Sequence, residues 1–194
     1  MKTNPNNKFT ASHRILHWSI ALFMFVLFIT GFLRMYWMNK KTIVTAIDTT
    51  LKNQSIAIEK DQLTPIAKSI QAPMWEWHEW AAYVIAIVLL LRIAYMLLKG
   101  IKFPNPFGSH QNLKEKLQGY LYLLFYLFVV ASTITGFYLK WGNGTYKQPM
   151  EAVHKWAIYW FPIFVVLHLV GILWAELTYK KGITSKMIGG DSEK

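Results

Sequence analysis

The sequence predicts an all-α integral membrane protein, a bundle of four transmembrane helices. Four long apolar runs carry this prediction, at about residues 15–37, 77–98, 120–139 and 156–178. Each reaches the roughly 20 residues that an α-helix needs to cross the hydrocarbon core of a bilayer. Hydrophobic residues make up 54% of the chain, and nine Trp, ten Tyr and twelve Phe supply the aromatic side chains that concentrate at membrane interfaces.

The segments between the runs predict a single domain, 1–194, with both termini on one side of the membrane. Residues 38–76 are long and polar and are predicted as an outer loop with room for a short helix; the other two connections are shorter and rich in Gly and Pro. The first run is too long for a secretory signal peptide and lacks a small-residue cleavage site, so it is predicted to be a retained anchor. Lys and Arg lean slightly toward the side of the termini, which favours cytoplasmic termini.

Composition excludes several kinds of site. The chain has no cysteine, which rules out disulfides, thiolate metal sites, iron–sulfur clusters and covalently attached c-type haem. Any metal or cofactor is therefore expected on His, Met, carboxylate or backbone groups. The net charge of +11 is scattered through the connecting segments, which favours contact with membrane lipid head groups over a nucleic-acid partner.

Four of the six histidines fall at two matching depths of the predicted helices. His78 and His154 begin the second and fourth helices on the side opposite the termini, while His17 and His168 lie on the terminal side. His154 and His168 are fourteen residues apart, which in one continuous helix is roughly 21 Å of rise and an offset of only about 40°. His110 lies in a Gly/Pro-rich connection and is interpreted as a surface residue.

Two level pairs of histidines predict two haems enclosed by the bundle, each held by axial imidazoles from two helices. A zinc site fits less well because it requires three or four ligands at one level. A proton relay fits less well because the helix interiors have no Asp or Glu between the histidines. Histidine pairs that hydrogen-bond without a metal remain an open alternative. His13 lies one turn before His17 on the same face, so either can reach an iron; His17 is chosen because it lies deeper.

Four further residues are notable inside the apolar runs. Gly31 and Gly136 each lie in the repeated tetrapeptide ITGF, which has two readings, close helix packing or clearance for a flat, bulky cofactor. Arg92 is predicted to neutralise a haem propionate, a role compatible with snorkelling to the nearer interface. Pro162 predicts a kink in the fourth helix.

Stretches in all four runs resemble one family, the bacterial cytochrome b561 family, which is related to the cytochrome b subunits of nickel–iron hydrogenases. They are SHRILHWSIA, EWHEWAAYVIAIVLLLRIAY, TITGFYL and AVHKWAIYWFPIFVVLHLVG. The resemblance covers nearly the whole chain apart from residues 38–76 and the last dozen residues. The spacing of the two histidines in the fourth helix, combined with LHW in the first, is the most specific part of it.

The resemblance implies an inner-membrane protein with cytoplasmic termini and two haems b per chain. His17 and His168 would ligate the haem on the cytoplasmic side, and His78 and His154 the haem on the periplasmic side. It implies electron exchange with membrane quinone. Two functions follow: an oxidoreductase that couples quinone to a diffusible periplasmic donor, superoxide being one candidate, or a membrane anchor and electron conduit for a redox partner protein, as in hydrogenase complexes. A haem-free transporter is disfavoured because intramembrane carboxylates and broken helix pairs are missing.

Overall fold

A computed structural model describes residues 9–99, 106–107 and 112–190. Within these residues the chain is all-helical, with seven α-helices and no strand. His110, interpreted above as a surface residue, lies outside the described residues. The helices are α1 (Ala11–Met35), α2 (Lys40–Asn53), α3 (Lys60–Leu98), α4 (Leu113–Trp141), α5 (Lys147–Lys155), α6 (Ala157–Thr178) and α7 (Ile183–Gly189).

Four helical segments in the described residues are long and apolar enough to cross a membrane: Ala11–Met35, Asp61–Leu98, Leu113–Trp141 and Lys147–Thr178. They contain the second, third and fourth predicted runs and all but the last two residues of the first, which agrees with a multi-pass membrane protein. The side chains that face outward are largely apolar, as Trp18, Leu90 and Leu173 illustrate with half or more of their surface exposed. Such surfaces are stable only against lipid or another apolar partner.

The predicted outer loop, residues 38–76, is largely helical. It contains α2, which begins where the Asn39 side chain accepts a hydrogen bond from the Thr42 amide, and the first part of α3. The sequence reading began the second long helix at residue 77, whereas α3 begins at Lys60. Pro65 and Pro73 lie inside this helix, although a proline removes one backbone hydrogen bond.

A buried stripe explains why α3 extends so far. The side chains on one face of α3, which recur every three, four or seven residues, are buried from residue 63 to residue 85. They are Leu63, Ala67, Gln71, Met74, Ala81 and Ile85. The Gln71 amide also donates a hydrogen bond to the Met38 carbonyl. This continuous apolar face outweighs the two prolines.

The chain divides into two compact units, Met1–Ala21 with Ala86–Lys194, and Leu22–Ile85. In the first unit α4 packs against α5 and α6, and α7 packs against α6. The fourth predicted run, 156–178, agrees with α6, which continues through Pro162. His154 lies just before that run in α5, and Trp156 joins α5 to α6 with right-handed helical dihedral angles (φ −62°, ψ −18°), so that Lys147–Thr178 is one membrane-length helical segment.

The C-terminal helix is fastened to the start of α1 within the same unit. The Glu176 carboxylate accepts hydrogen bonds from the amides of Gly182 (2.6 Å) and Thr184 (3.0 Å), which orders the turn into α7. Arg14 donates to the carbonyl of Ile188 at 2.7 Å, and Trp18 donates to that of Met187 at 3.1 Å. These two hydrogen bonds fasten the segment of α1 that carries His17 to α7.

Candidate haem site

His17 of α1 and His168 of α6 face each other in the first unit. Their ring centres lie 6.1 Å apart, with 41° between the ring planes. Within the described residues neither imidazole forms a hydrogen bond, and no group of three or more His, Cys, Asp or Glu side chains is arranged to hold a metal ion. The site therefore offers two imidazole ligands and no third, which excludes a zinc site of the usual kind within the described residues.

The spacing of the two rings suits a haem iron. Two metal–nitrogen bonds of about 2 Å each, and roughly 1 Å from each bonding nitrogen to its ring centre, place the centres of two axial imidazoles about 6 Å apart. The observed 6.1 Å agrees with this value. The chemistry fits as well, because imidazoles on separate helices are common axial ligands of b-type haem.

Aromatic side chains hold both of these rings. His168 stacks on Phe164, one turn earlier in α6, at 5.5 Å and 16°. Phe164 in turn stacks on Phe125 of α4 at 4.4 Å, and Phe125 is buried. His17 meets the edge of Trp18 at 5.5 Å. We call His17 and His168, held in this way, the apolar histidines.

His13 lies in different surroundings from His17. Its ring meets the edges of Phe9 and Tyr95. One nitrogen of the Arg92 guanidinium donates to the His13 carbonyl at 3.2 Å, and another lies 3.3 Å from Nε2 of the His13 ring. Because a guanidinium has only donors, that Nε2 accepts. Its lone pair is engaged by Arg92, and it is the ring of His17 that lies opposite His168.

His154 of α5 packs its imidazole against one turn of α4. Nδ1 lies 3.0 Å from the carbonyl oxygen of Ser132 and 3.3 Å from Oγ1 of Thr135. A carbonyl only accepts hydrogen bonds, so Nδ1 carries the proton and donates. A Cβ built on Gly136 would lie 3.1 Å from Cε1 of this ring, so the glycine provides the clearance that the imidazole occupies.

His78 of α3 lies in the second unit, Leu22–Ile85, and its Nδ1 is also hydrogen-bonded. Oγ1 of Thr30 in α1 is 2.7 Å from Nδ1, and Thr30 is buried. The edge of Trp75 lies 5.7 Å from the His78 ring, and the Arg34 guanidinium sits over Trp75 at 5.6 Å. We call His78 and His154 the hydrogen-bonded histidines.

The second unit also contains an open cavity of about 470 Å³ beside Trp75. Its charged lining residues are Arg34, Lys40, Lys68, Glu76 and Glu79. Three cations against two carboxylates give it a small positive excess. Gly31, on the same helix as Arg34, has no atom within 4 Å of the position that a Cβ would take.

Apolar helices of membrane length define a class, the multi-pass helical membrane proteins. The family model for prokaryotic cytochrome b561 matches residues 8–190. The chain belongs to this family, and it is therefore a membrane haem protein of the b type that transfers electrons. The match includes residues 38–76 and most of the last dozen residues, both of which the sequence resemblance had left out. Searches of curated proteins and of solved structures returned no match.

Sequence reasoning missed the hydrogen-bonding partners of two histidines. Thr30, Ser132 and Thr135 were not among the predicted site residues, although Thr30 and Thr135 precede the two glycines in the repeated ITGF. The repeat itself indicates these partners, because two threonines at the same place in a tetrapeptide that recurs at matching depth are expected to have a common role. The sequence prediction gave a role only to the glycines of the repeat.

Proposed function

We propose that this chain is a di-haem b-type cytochrome that carries electrons across the bacterial inner membrane, to or from the quinone pool. The observation that supports this most directly is the facing pair of apolar histidines, whose ring centres are 6.1 Å apart on helices long enough to span a membrane. Family membership supports haem b as the cofactor and electron transfer as the chemistry.

His17 and His168 are proposed to ligate the haem on the cytoplasmic side, with both termini cytoplasmic, and His78 and His154 the haem on the periplasmic side. The second assignment rests on the matching sequence depths of His78 and His154 and on their hydrogen-bonded Nδ1 atoms. A neutral imidazole that donates from Nδ1 has its lone pair on Nε2, and Nε2 is then the nitrogen that binds a metal.

The bound haem would supply one-electron redox chemistry at its iron. The histidines would hold the group through their imidazoles, and the rest of the protein would position those imidazoles, exclude water and place charge. Phe164 covers one face of the His168 ring by stacking, and Phe125 stacks on Phe164 behind it. Ser132 and Thr135 fix the direction in which His154 points.

Arg92 is proposed to balance the charge of a haem propionate near His17. Its contacts with His13 use two of its nitrogens, and a guanidinium has five N–H donors, so it has donors for a second acceptor. Gly31 and Gly136 are proposed as clearance for the cofactor sites. For Gly136 the support is its contact distance to the His154 ring, and for Gly31 it is the open space around its Cα.

The electron donor is proposed to be a small diffusible anion at the periplasmic face, superoxide being one candidate, with quinone on the other side of the reaction. The support is the cavity beside Trp75 with its excess of cations, since a positive cleft raises the local concentration and the association rate of an anion. The alternative is a membrane anchor and electron conduit for a redox partner protein such as a hydrogenase. Purification separates the two, because co-purifying subunits indicate the conduit and quinone-linked turnover by the isolated chain indicates the oxidoreductase.

The experiment that tests the proposal is a pyridine haemochrome assay, with absorbance spectra, on protein purified from haem-replete cells. Two b haems per chain are expected. His17→Ala is expected to remove one haem, because it deletes an axial ligand, and His13→Ala is the matched control that keeps both. A haem-free protein would overturn the proposal, and loss of a haem in His13→Ala instead of His17→Ala would overturn the ligand assignment.

A further inference from the structure

We infer that Thr30 and Thr135 are positioning residues, each of which fixes the tautomer and direction of one haem-ligand histidine through a hydrogen bond to its Nδ1. The inference rests on the proposed function for the identity of the bound group. Its observations are two buried hydroxyls at corresponding places in a repeated tetrapeptide, each beside the Nδ1 of a different histidine.

Each hydroxyl has its own proton committed to the helix backbone. Oγ1 of Thr30 donates to the carbonyl of Val26 at 2.8 Å, with the carbonyl of Leu27 at 3.1 Å. Oγ1 of Thr135 does the same with the carbonyls of Ala131 at 2.8 Å and Ser132 at 3.1 Å. A threonine hydroxyl has one proton and two lone pairs, so what it presents outward is an acceptor.

The lone pair of each threonine Oγ1 needs a hydrogen-bond donor, and the atom that lies beside it is Nδ1 of a histidine. For His154 the neighbouring carbonyl of Ser132 imposes the same state, since it also only accepts, at 3.0 Å from Nδ1. For His78 the direction follows from Thr30, whose single proton goes to the Val26 carbonyl at 2.8 Å, so that Oγ1 accepts from Nδ1 at 2.7 Å. Both histidines therefore carry the proton on Nδ1, and both direct the lone pair of Nε2 to the opposite side of the ring.

The repeat supplies more than the hydroxyl. The next residue in each copy is a glycine, and at Gly136 the absent Cβ is what lets the imidazole lie within hydrogen-bond range of Thr135. The threonines are buried, so water does not compete for their lone pairs. At Thr135 and Gly136 the tetrapeptide ITGF thus positions a histidine with a hydroxyl acceptor followed by a small residue, whereas in the other copy no atom lies within 4 Å of the Cβ position at Gly31 and only the Thr30 hydroxyl contacts the histidine.

A hydrogen bond accepted from Nδ1–H makes the imidazole a stronger electron donor to the metal, which stabilises the oxidised iron. Removing the acceptor is expected to raise the midpoint potential of the haem concerned. Thr30→Val and Thr135→Val remove the hydroxyl and keep nearly the same shape. The effect should be larger for Thr30→Val, because its contact is shorter, and because the Ser132 carbonyl still holds Nδ1 of His154 in Thr135→Val.

The test uses the purified holoprotein and measures haem content, the two midpoint potentials and the ferric electron paramagnetic resonance spectrum. Because His78 and His154 are proposed to ligate the same haem, Thr30→Val and Thr135→Val are both expected to shift the potential and the largest g value of the one haem that His78→Ala and His154→Ala each remove. Thr133→Val is the matched control on α4, because its hydroxyl makes the same backbone bond, to the Val129 carbonyl at 2.8 Å, and in the described residues it bonds no histidine.

Thr→Ser at either position keeps the hydroxyl and is expected to restore the wild-type signals. Wild-type spectra and potentials in both valine variants would overturn the inference. If a valine variant loses its haem, recovery in the serine variant supports the inference, and failure of the serine variant overturns it by showing that the methyl group mattered. The proposed function fails separately, if the wild-type protein has no haem or if His78→Ala and His154→Ala both keep two.

Discussion

The ring of His168 lies flat against Phe164 at 5.5 Å, whereas the ring of His154 directs Nδ1 at a carbonyl 3.0 Å away. The apolar histidines, His17 and His168, are held by aromatic packing. The hydrogen-bonded histidines, His78 and His154, are held by Thr30, Ser132 and Thr135. Stacking restrains the plane of a ring and leaves its tautomer open, while a hydrogen bond to Nδ1 sets the tautomer and the direction of Nε2.

The two kinds of support have different weaknesses. A packed ring depends on the volume and shape of its aromatic neighbours, and it tolerates small shifts because dispersion contacts are many and individually weak. A hydrogen-bonded ring depends on one or two acceptors at fixed distances and on the space that lets it reach them. Substitutions that crowd the ring should therefore damage the hydrogen-bonded histidines most, and substitutions that remove aromatic surface should affect the apolar ones.

The largest effect is expected from Gly136→Val. A Cβ at this position would lie 3.1 Å from Cε1 of His154, and the two γ-methyl groups of valine add further crowding, so the imidazole must leave its acceptors. Haem content is expected to fall from two toward one per chain in the pyridine haemochrome assay. In Gly31→Val no atom of the protein lies within 4 Å of the new Cβ, so a loss of haem in that variant would report on clearance for the cofactor itself and not on crowding of a histidine.

Full haem content in Gly136→Val would show that His154 does not depend on this clearance. Sensitivity to crowding would then no longer distinguish the hydrogen-bonded histidines from the apolar histidines. Loss of haem in Gly31→Val alone would leave Gly31, and not Gly136, as the glycine that provides clearance for a cofactor. Gly136→Ala is the milder form of the same change, because the His154 ring would have to shift by only a few tenths of an ångström to admit the methyl group.

A smaller effect is expected from Phe164→Leu, which acts on the apolar side of the comparison. Leucine keeps a large apolar side chain but removes the stacking on His168 and on Phe125, and an aromatic pair contributes about 0.5–1.5 kcal/mol beyond its buried area. The haem that His168→Ala removes should be retained, with a lower thermal midpoint for its release. Phe128→Leu, which removes stacking on Trp160, is the control; an equal loss there would mean that general packing, not the support of His168, was measured.

The sequence was sufficient to predict the membrane helices and the candidate ligands. Apolar runs of membrane length and histidines at two depths are properties that the chain carries locally. His13 and His17 share a face of α1, so the sequence favoured His17 only because it lies deeper. What separates them is Arg92, seventy-nine positions away, which engages His13, and no local pattern contains that contact.

The extent of α3 and the junction of α5 with α6 at Trp156 were not predicted, for opposite reasons. Pro65 and Pro73 are local signals that end helices, yet a buried stripe beginning at Leu63 outweighs them. At the other site Pro162 is a strong local signal inside a helix that continues through it, while the junction lies six residues earlier. Both outcomes depend on packing energy over several turns, which propensities of single residues do not include.

The smallest effect is expected from Arg92→Gln. Removing one positive charge near the haem of the apolar histidines should lower its midpoint potential, because reduction adds an electron that the charge stabilises. Redox titration against Arg92→Lys, which keeps the charge but not the planar fork, separates charge from geometry. A potential that is unchanged in Arg92→Gln would assign Arg92 to His13 alone, through the contacts at 3.2 and 3.3 Å, and would leave the apolar histidines without any charged support.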